Sequence, residues 1–133
     1  MFLDFRLLEG KVLHKEAWVA SSLIFHLYFS IFTGKYVFLE SSSPRKTGDK
    51  TRLVSQQFNR TSTTPCFVFY YHMSGQSIGS LNIYVNNSGS ETLIWSLSGD
   101  KGTKWQNGQV NVASVQVGSS YKVSIEDLSN LYL

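Results

Sequence analysis

Alternating apolar and polar residues mark most of the chain as strand-forming. Leu81, Ile83 and Val85 alternate with Asn82 and Tyr84, which is the period-two pattern of a strand with one buried face. We therefore predict that this segment presents its aliphatic side chains to a core and its polar side chains outward.

Residues 66–73 form a second apolar run, in which both alternating sets are largely apolar or aromatic. One set is Phe67, Phe69, Tyr71 and Met73, and the other contains Val68, Tyr70 and His72. This pattern predicts a strand covered on both sides. The turn-rich segment 74–79 then predicts an antiparallel hairpin with the strand around residue 83.

Five further strands are predicted over residues 36–41, 52–58, 91–97, 109–117 and 121–125, separated by turn-rich segments such as 43–48 and 98–102. No segment shows a convincing helical period. Short strands at this spacing indicate an all-β fold, either a sandwich or a jelly roll.

Residues 1–33 differ in texture from the rest of the chain. Residues 17–32 carry no formal charge, but serines and His26 interrupt a stretch that is already short for a membrane span of about 20 residues. The segment is interpreted as a signal or anchor, or as a replaced exon. We expect a β-sandwich over residues 34–127 and a tail over 128–133.

Composition and charge fit one folded domain with an uneven basic cluster. The 133 residues are 42% hydrophobic and carry a net charge of +3. Five cations have only Asp49 among them as a counter-charge: Arg45, Lys46, Lys50, Arg52 and Arg60. A solvated loop and strand edge explains them, and a site for sulfated glycans is the alternative. Nothing accompanies the cluster that indicates nucleic acid binding.

One motif in the chain resembles catalytic chemistry. Residues 75–79 read Gly-Gln-Ser-Ile-Gly and match the G-x-S-x-G nucleophile elbow. That elbow joins a strand to a helix and needs a later histidine, whereas a strand is predicted to follow here and no histidine occurs after His72. We therefore interpret the segment as a glycine-bearing hairpin loop.

Other candidate ligands and acids are too scattered to indicate a site. One cysteine and three dispersed histidines do not match a zinc signature, and no nucleotide-binding loop is present. The carboxylates most relevant to acid–base or cation chemistry lie in separate segments and are expected at solvated edges: Glu40, Glu91, Asp100, Glu126 and Asp127. We predict no catalytic, cofactor-binding or metal-binding residues.

The larger aromatic residues are interpreted as core rather than as a ligand-contacting set. They are Tyr36, Phe38, Phe69, Trp95 and Trp105.

Cysteine usage and glycosylation signals point to different compartments. The lone Cys66 is typical of a reducing compartment. Asn59-Arg60-Thr61 and Asn86-Asn87-Ser88 are acceptor sequons for N-glycosylation, which takes place on the secretory route. Asn59 and Asn86 are therefore candidate glycosylation sites.

The order of the strand segments resembles the MAM domain family. The resemblance runs from about Gly34 to about Glu126, and its most specific part is the run Cys-x-x-Phe-x-Tyr-His-Met-x-Gly over residues 66–75. It implies a jelly-roll β-sandwich in an extracellular or cell-surface membrane protein, and a non-catalytic role in adhesion through protein partners, including homophilic ones. Membrane association would then come through a parent protein. A carbohydrate-binding, lectin-like domain is the alternative.

The two ends of the chain depart from the family pattern. Members begin with a cysteine pair and acidic residues that help to hold a cation, and they end with a strand bearing paired aspartates and a closing cysteine. Cys66 therefore resembles a disulfide cysteine whose partner is missing. We expect a sandwich that lacks its terminal strands, with the apolar N-terminal stretch as the candidate substitute packing.

Overall fold

A computed structural model of the chain describes residues 2–8, 18–20, 25–30, 34–39, 46–60, 66–112 and 118–129. Side chains are described for residues 46–60, 66–112 and 118–129. The described residues form the strands β1 (Phe2–Leu8), β2 (Trp18–Ala20), β3 (Phe25–Ser30), β4 (Gly34–Leu39), β5 (Lys50–Ser55), β6 (Phe58–Asn59), β7 (Cys66–His72), β8 (Ser80–Asn87), β9 (Ser90–Ser98), β10 (Gln106–Asn111) and β11 (Ser120–Leu128).

These strands form two antiparallel sheets. The first sheet has the order β10-β7-β1-β4-β3, and the second has the order β2-β5-β11-β8-β9. The short strand β6 also pairs with the start of β11, where Asn59 lies opposite Ser120. The prediction of an all-β sandwich is confirmed, and the described part of the chain contains no helix able to cross a membrane.

The core lies between the two sheets and takes side chains from both. Phe67 and Phe69 of the first sheet are fully buried, as are Leu81, Ile83 and Val85 of the second. The alternation that predicted the buried face of β8 is therefore confirmed. Phe69 and Trp95 meet edge to face, with ring centroids 5.0 Å apart, so aromatic packing joins the sheets across the core.

A β-bulge in β9 places Leu93 and Trp95, which are two positions apart, on opposite faces of the sheet. The register with β8 shifts between Ile83 and Tyr84, so that Ile83 pairs with Trp95 while Tyr84 pairs with Leu93. The extra residue keeps Trp95 against the core and leaves Leu93 exposed on the outer face.

The N-terminal residues supply strands to both sheets. Strand β1 pairs with β7 along its whole length, from Phe2 opposite His72 to Leu8 opposite Cys66, and its first residues also pair with β4. Strand β2 pairs with β5 in the second sheet, and β3 pairs with β4. The backbone of this stretch thus provides the sheet pairing that the sequence left open.

The predicted hairpin between β7 and β8 is wrong. Strand β7 pairs with β1 and β10, whereas β8 pairs with β11 and β9 in the other sheet. The linker over residues 74–79 therefore crosses from one sheet to the other. A turn-rich linker reverses the chain in either topology, and the strand alternation is the same in both.

Candidate functional site

An exposed aromatic surface lies on the outer face of the first sheet, at its β7–β10 side. Since Phe67 and Phe69 point into the core, Tyr70 and His72 alternate to the outer face. The indole of Trp105, just before β10, lies 5.9 Å from the His72 ring. Trp105 is 46% exposed and Tyr70 38% exposed. We call Tyr70, His72 and Trp105 the aromatic surface.

This surface corrects two predictions. Trp105 was expected in the core, and β7 was expected to be covered on both sides, but the outer face is open at Tyr70. Phe69 and Trp95 do pack in the core as predicted, and Tyr36 and Phe38 lie outside the residues with described side chains. Period two predicts which residues share a face but not whether a further layer covers that face.

Gly108 positions β10 beside β7. It pairs with Phe69, and a Cβ at residue 108 would lie 2.3 Å from the phenyl ring. Only glycine lets the β10 backbone pass over that ring without displacing it. This close approach fixes the position of β10, the strand that follows Trp105, relative to β7.

Two loops are tied together next to the aromatic surface. Gly75 N and Gly102 N donate hydrogen bonds to Oδ1 of Asp100, at 3.3 and 3.0 Å. The amide of Lys101 also donates to the Met73 carbonyl at 2.7 Å. The two glycine amides hold the pKa of Asp100 below its usual value, because they stabilise the carboxylate. The loops that flank the aromatic surface therefore hold each other in place.

The G-x-S-x-G segment is one of these loops. It joins β7 to β8, so a strand follows the serine where a nucleophile elbow would have a helix. Ile78, next to Ser77, is buried in the core, and Gly75 adopts a φ of 126°. The segment is a glycine-bearing loop, as predicted, but it connects the two sheets instead of closing the predicted hairpin.

A charged network crosses the outer face of the second sheet. Arg52 of β5 donates from Nη1 to both carboxylate oxygens of Glu91 in β9, at 2.7 and 2.9 Å, and from Nη2 to Glu126 of β11 at 2.7 Å. The hydroxyl of Tyr84 donates to Glu126 at 3.2 Å, and Lys50 Nζ lies 3.7 Å from the same carboxylate. The network therefore links β5, β11, β8 and β9.

Electrostatics favour the ionised forms of this network. Burial opposes ionisation of Glu126, but the hydrogen bond from Arg52 and the charges of Lys50 and Arg52 outweigh it and lower the Glu126 pKa. Burial likewise opposes the Arg52 charge, yet its two carboxylate partners raise the Arg52 pKa. Burial, followed by the Glu126 charge, raises the pKa of Tyr84.

The prediction that the carboxylates lie at solvated edges is wrong for two of them. Glu126 is 2% exposed and Asp127 is 1% exposed. The reason is that β11 lies between β5 and β8 in its sheet, so neighbouring side chains cover it on both sides. Alternation with the buried Ile125 places Glu126 on the outer face, but only the register of β11 with β5 brings it opposite Arg52.

The basic cluster is partly engaged by these carboxylates. Arg52 and Lys50 pair with Glu126, and Arg52 also pairs with Glu91. Lys46 is exposed, and Arg45 lies outside the described residues. Because Arg52 already pairs with Glu91 and Glu126, the cluster offers less unpaired positive charge than its sequence suggests. Sulfated glycan binding there stays a prediction.

The single cysteine lies on β7, beside β10. Cys66 is half-buried and forms no disulfide, and Nε2 of the Gln109 side chain donates a hydrogen bond to its Sγ at 3.0 Å. The side chains described contain no group of three His, Cys, Asp or Glu residues arranged to hold a metal ion.

A polar cleft of about 360 Å³ lies on the outer face of the second sheet, next to the charged network. Its lining includes Arg52 and Glu91 of that network together with Asn86, Ser120 and Lys122, and Asn86 lies directly opposite Glu91 in the pairing of β8 with β9. Of the two candidate glycosylation sites, Asn86 is half-buried in this lining and Asn59 is exposed on β6.

The fold and these surfaces define an all-β domain of two antiparallel sheets, with an aromatic surface on one outer face and a charged network on the other. The family model of the MAM domain, meprin/A5/mu, matches residues 25–130, and the chain belongs to the MAM domain family. The family places it among extracellular, adhesion-type modules of cell-surface proteins, as the resemblance implied.

Three of the curated proteins that the chain resembles differ in their sequence identity to it. MAM domain-containing glycosylphosphatidylinositol anchor protein 1 of Gallus gallus is 49% identical over 82 residues, covering 59% of this chain and 9% of that protein. Anchor protein 2 of the same description, from Homo sapiens, is 42% identical over 90 residues, covering 59% and 9%. Thyroid hormone-induced protein B of Xenopus laevis is 31% identical over 86 residues, covering 62% and 12%. The chain thus spans about a tenth of the length of these relatives.

Proposed function

We propose that this domain is a non-catalytic recognition module that mediates protein–protein contacts at the cell surface. Membership of the MAM family supports the extracellular setting. Two of the relatives are described as glycosylphosphatidylinositol anchor proteins, which supports membrane attachment through a parent protein.

The observation that carries the proposal is the aromatic surface. Trp105 and Tyr70 expose large rings on the first sheet, and aromatic residues are enriched at protein interfaces and among the residues that dominate binding. Gly108 fixes β10, and the Asp100 contacts hold the neighbouring loops, so the surface is organised before a partner arrives. Preorganisation reduces the entropy that binding costs.

Bead aggregation tests the contact surface. The full chain is secreted from animal cells, attached to beads in one orientation, and mixed either with beads carrying the same chain or with cells. Tyr70→Ala with Trp105→Ala is expected to reduce binding about tenfold or more, because both rings lose their contact area. Aggregation among beads that all carry this chain would identify the partner as homophilic.

Leu93→Ala is the matched control. Leu93 is also large, apolar and exposed, at 51%, but it lies on the outer face of the other sheet. It is expected to leave binding unchanged. Undiminished binding by the double variant, with its fold intact by circular dichroism, would contradict the proposal.

Carbohydrate binding is the second candidate function, because the same surface has a composition suited to sugars. Asn107 pairs with Tyr70 at the β10 edge, so an amide-bearing residue lies beside the exposed rings. Aromatic faces with a few adjacent polar groups are typical of small-molecule sites. A glycan array distinguishes the two functions: sugar binding that is lost on Trp105→Ala supports the lectin-like alternative.

A further inference from the structure

The fold brings the two glycosylation sequons to the same end of the second sheet. Asn59 in β6 lies opposite Ser120, and Asn86 in β8 lies opposite Lys122. Ser120 and Lys122 are the first and third residues of β11. With ordinary strand spacings, the two asparagines flank β11 with their Cα atoms about 12 Å apart. The sequons are 27 positions apart in sequence yet neighbours in the sheet.

Both asparagines lie on the outer face. Tyr121 and Val123 of β11 are buried, so Ser120 and Lys122 alternate outward, and their cross-strand partners share that face. Packing supports this orientation on each side. Phe58, just before Asn59, packs against Tyr121 with ring centroids 5.7 Å apart, which directs Asn59 away from the core.

The environments of the two asparagines differ. Asn59 is exposed, whereas Asn86 is half-buried in the polar cleft of about 360 Å³. Asn86 lies opposite Glu91 in β9 and Lys122 in β11, and both line the cleft. Ser120 and Gln57 add a hydroxyl and an amide to the same lining. Its volume is at the lower end of the range of about 300–1,000 Å³ for ligand pockets, so a sugar attached to Asn86 has a polar cleft beside it.

We infer that Asn59 and Asn86 are a paired N-glycosylation site, in which the first sugar on Asn86 lies in the polar cleft and the first sugar on Asn59 extends into solvent. The donor is a lipid diphosphate-linked oligosaccharide of the secretory pathway. Nδ2 of asparagine attacks its anomeric carbon, and the new C–N bond forms as the C–O bond to the diphosphate breaks. The lipid diphosphate leaves, and one Nδ2 proton passes to solvent.

The pair has a consequence for recognition. Two glycans at this end of the second sheet cover the cleft and the outer face around β6, β8 and β11. The aromatic surface belongs to the other sheet and stays uncovered. The inference nevertheless stands without the proposed function, because it depends on the sequons and the cleft alone.

Site occupancy is the first test. The full chain is expressed in animal cells behind an added signal peptide, and glycopeptides from both cells and medium are analysed by mass spectrometry. Asn59→Gln and Asn86→Gln are each expected to remove one glycan, and Ser88→Ala to remove the same glycan as Asn86→Gln. Asn87→Gln changes the middle residue of the sequon and is expected to keep both glycans. An unmodified Asn59 or Asn86 would overturn the paired site.

Enzymatic release tests the position of the sugar on Asn86. Peptide N-glycosidase must reach the first sugar, so the native protein is expected to lose the Asn86 glycan several-fold more slowly than the Asn59 glycan. After denaturation, both glycans are expected to be released at similar rates. Equal release rates from the native protein would overturn the placement in the cleft. Neither experiment uses partner binding, so the result is independent of the proposed function.

Discussion

Arg52 donates a 2.7 Å hydrogen bond to Glu126 and thereby joins β5 to β11 across the outer face of the second sheet. The two residues are 74 positions apart in sequence and lie opposite each other in the strand register. Glu126 has a side chain only 3% exposed, so its charge depends on its protein partners. A carboxylate that is cut off from water in this way costs free energy unless a cation and hydrogen bonds compensate.

Arg52→Ala is expected to lower the free energy of unfolding by about 2–4 kcal/mol, because it leaves the Glu126 carboxylate buried with Tyr84 and Lys50 as its remaining partners among the described side chains. Denaturant unfolding of the full chain measures the change. Glu91→Gln is the control, since it removes the more exposed contact of the same guanidinium and is expected to cost less than about 1 kcal/mol. Equal effects of the two substitutions would show that burial of Glu126 does not govern the network.

Acid sensitivity follows from the lowered pKa of Glu126. Its usual value is 4.5, and the folded value is lower, so the unfolded chain binds more protons around that pH. The stabilisation from Glu126 is therefore full above about pH 4.5 and is lost as the pH falls through the folded pKa. Glu126→Gln is expected to flatten the decline of stability measured from about pH 6 to about pH 3.

Asp100 contributes to the same pH range, since its pKa is also lowered. The measurement is therefore made in an Asp100→Asn background, where the remaining slope is compared with and without Glu126→Gln. An unchanged slope in that comparison would contradict the assigned role of Glu126.

The sequence was sufficient to predict most of the strands from β4 onward and the buried face of β8, but not β1, β2 and β3. Period-two alternation identified Leu81, Ile83 and Val85 as core, and the apolar run over residues 66–73 identified β7. Both predictions depend on local periodicity, because successive side chains of a strand point to opposite faces of the sheet. The absence of helical patterning then limited the fold to a sandwich or a related class.

Sheet membership and register could not be predicted in the same way. The β7–β8 hairpin was wrong because the linker over residues 74–79 joins two sheets rather than two neighbours. The pairing of Arg52 with Glu91 and Glu126, and the convergence of Asn59 and Asn86, require the register of β11 with strands distant in sequence. Exposure of Trp105 likewise depends on whether a further layer covers the first sheet, which alternation does not encode.

Ser55 supports the second sheet at the point where β5 ends. Its hydroxyl accepts a 2.9 Å hydrogen bond from the amide of Val123 and donates to the carbonyl of Gln56. Ser55→Ala leaves the buried Val123 amide without this acceptor and is expected to cost about 1–3 kcal/mol. Hydrogen exchange at the Val123 amide should become faster. Ser80→Ala, which removes the exposed contact with Ser98, is expected to have little effect, and an equal loss from both would contradict this role.

Among the glycines whose surroundings the structure describes, Gly108 leaves the least room for a side chain, because a Cβ there would lie 2.3 Å from the Phe69 ring. Gly108→Ala must displace either β10 or a fully buried phenyl ring, and it is expected to lower stability by about 1–3 kcal/mol. Asn107→Ala, on the same strand, is expected to change stability by less than about 0.5 kcal/mol.

If the clash with Phe69 is the cause, Phe69→Leu should relieve part of it, so the double variant with Gly108→Ala loses less stability than the two single variants combined. Additive losses would place the effect of Gly108 in the β10 backbone rather than in its contact with Phe69.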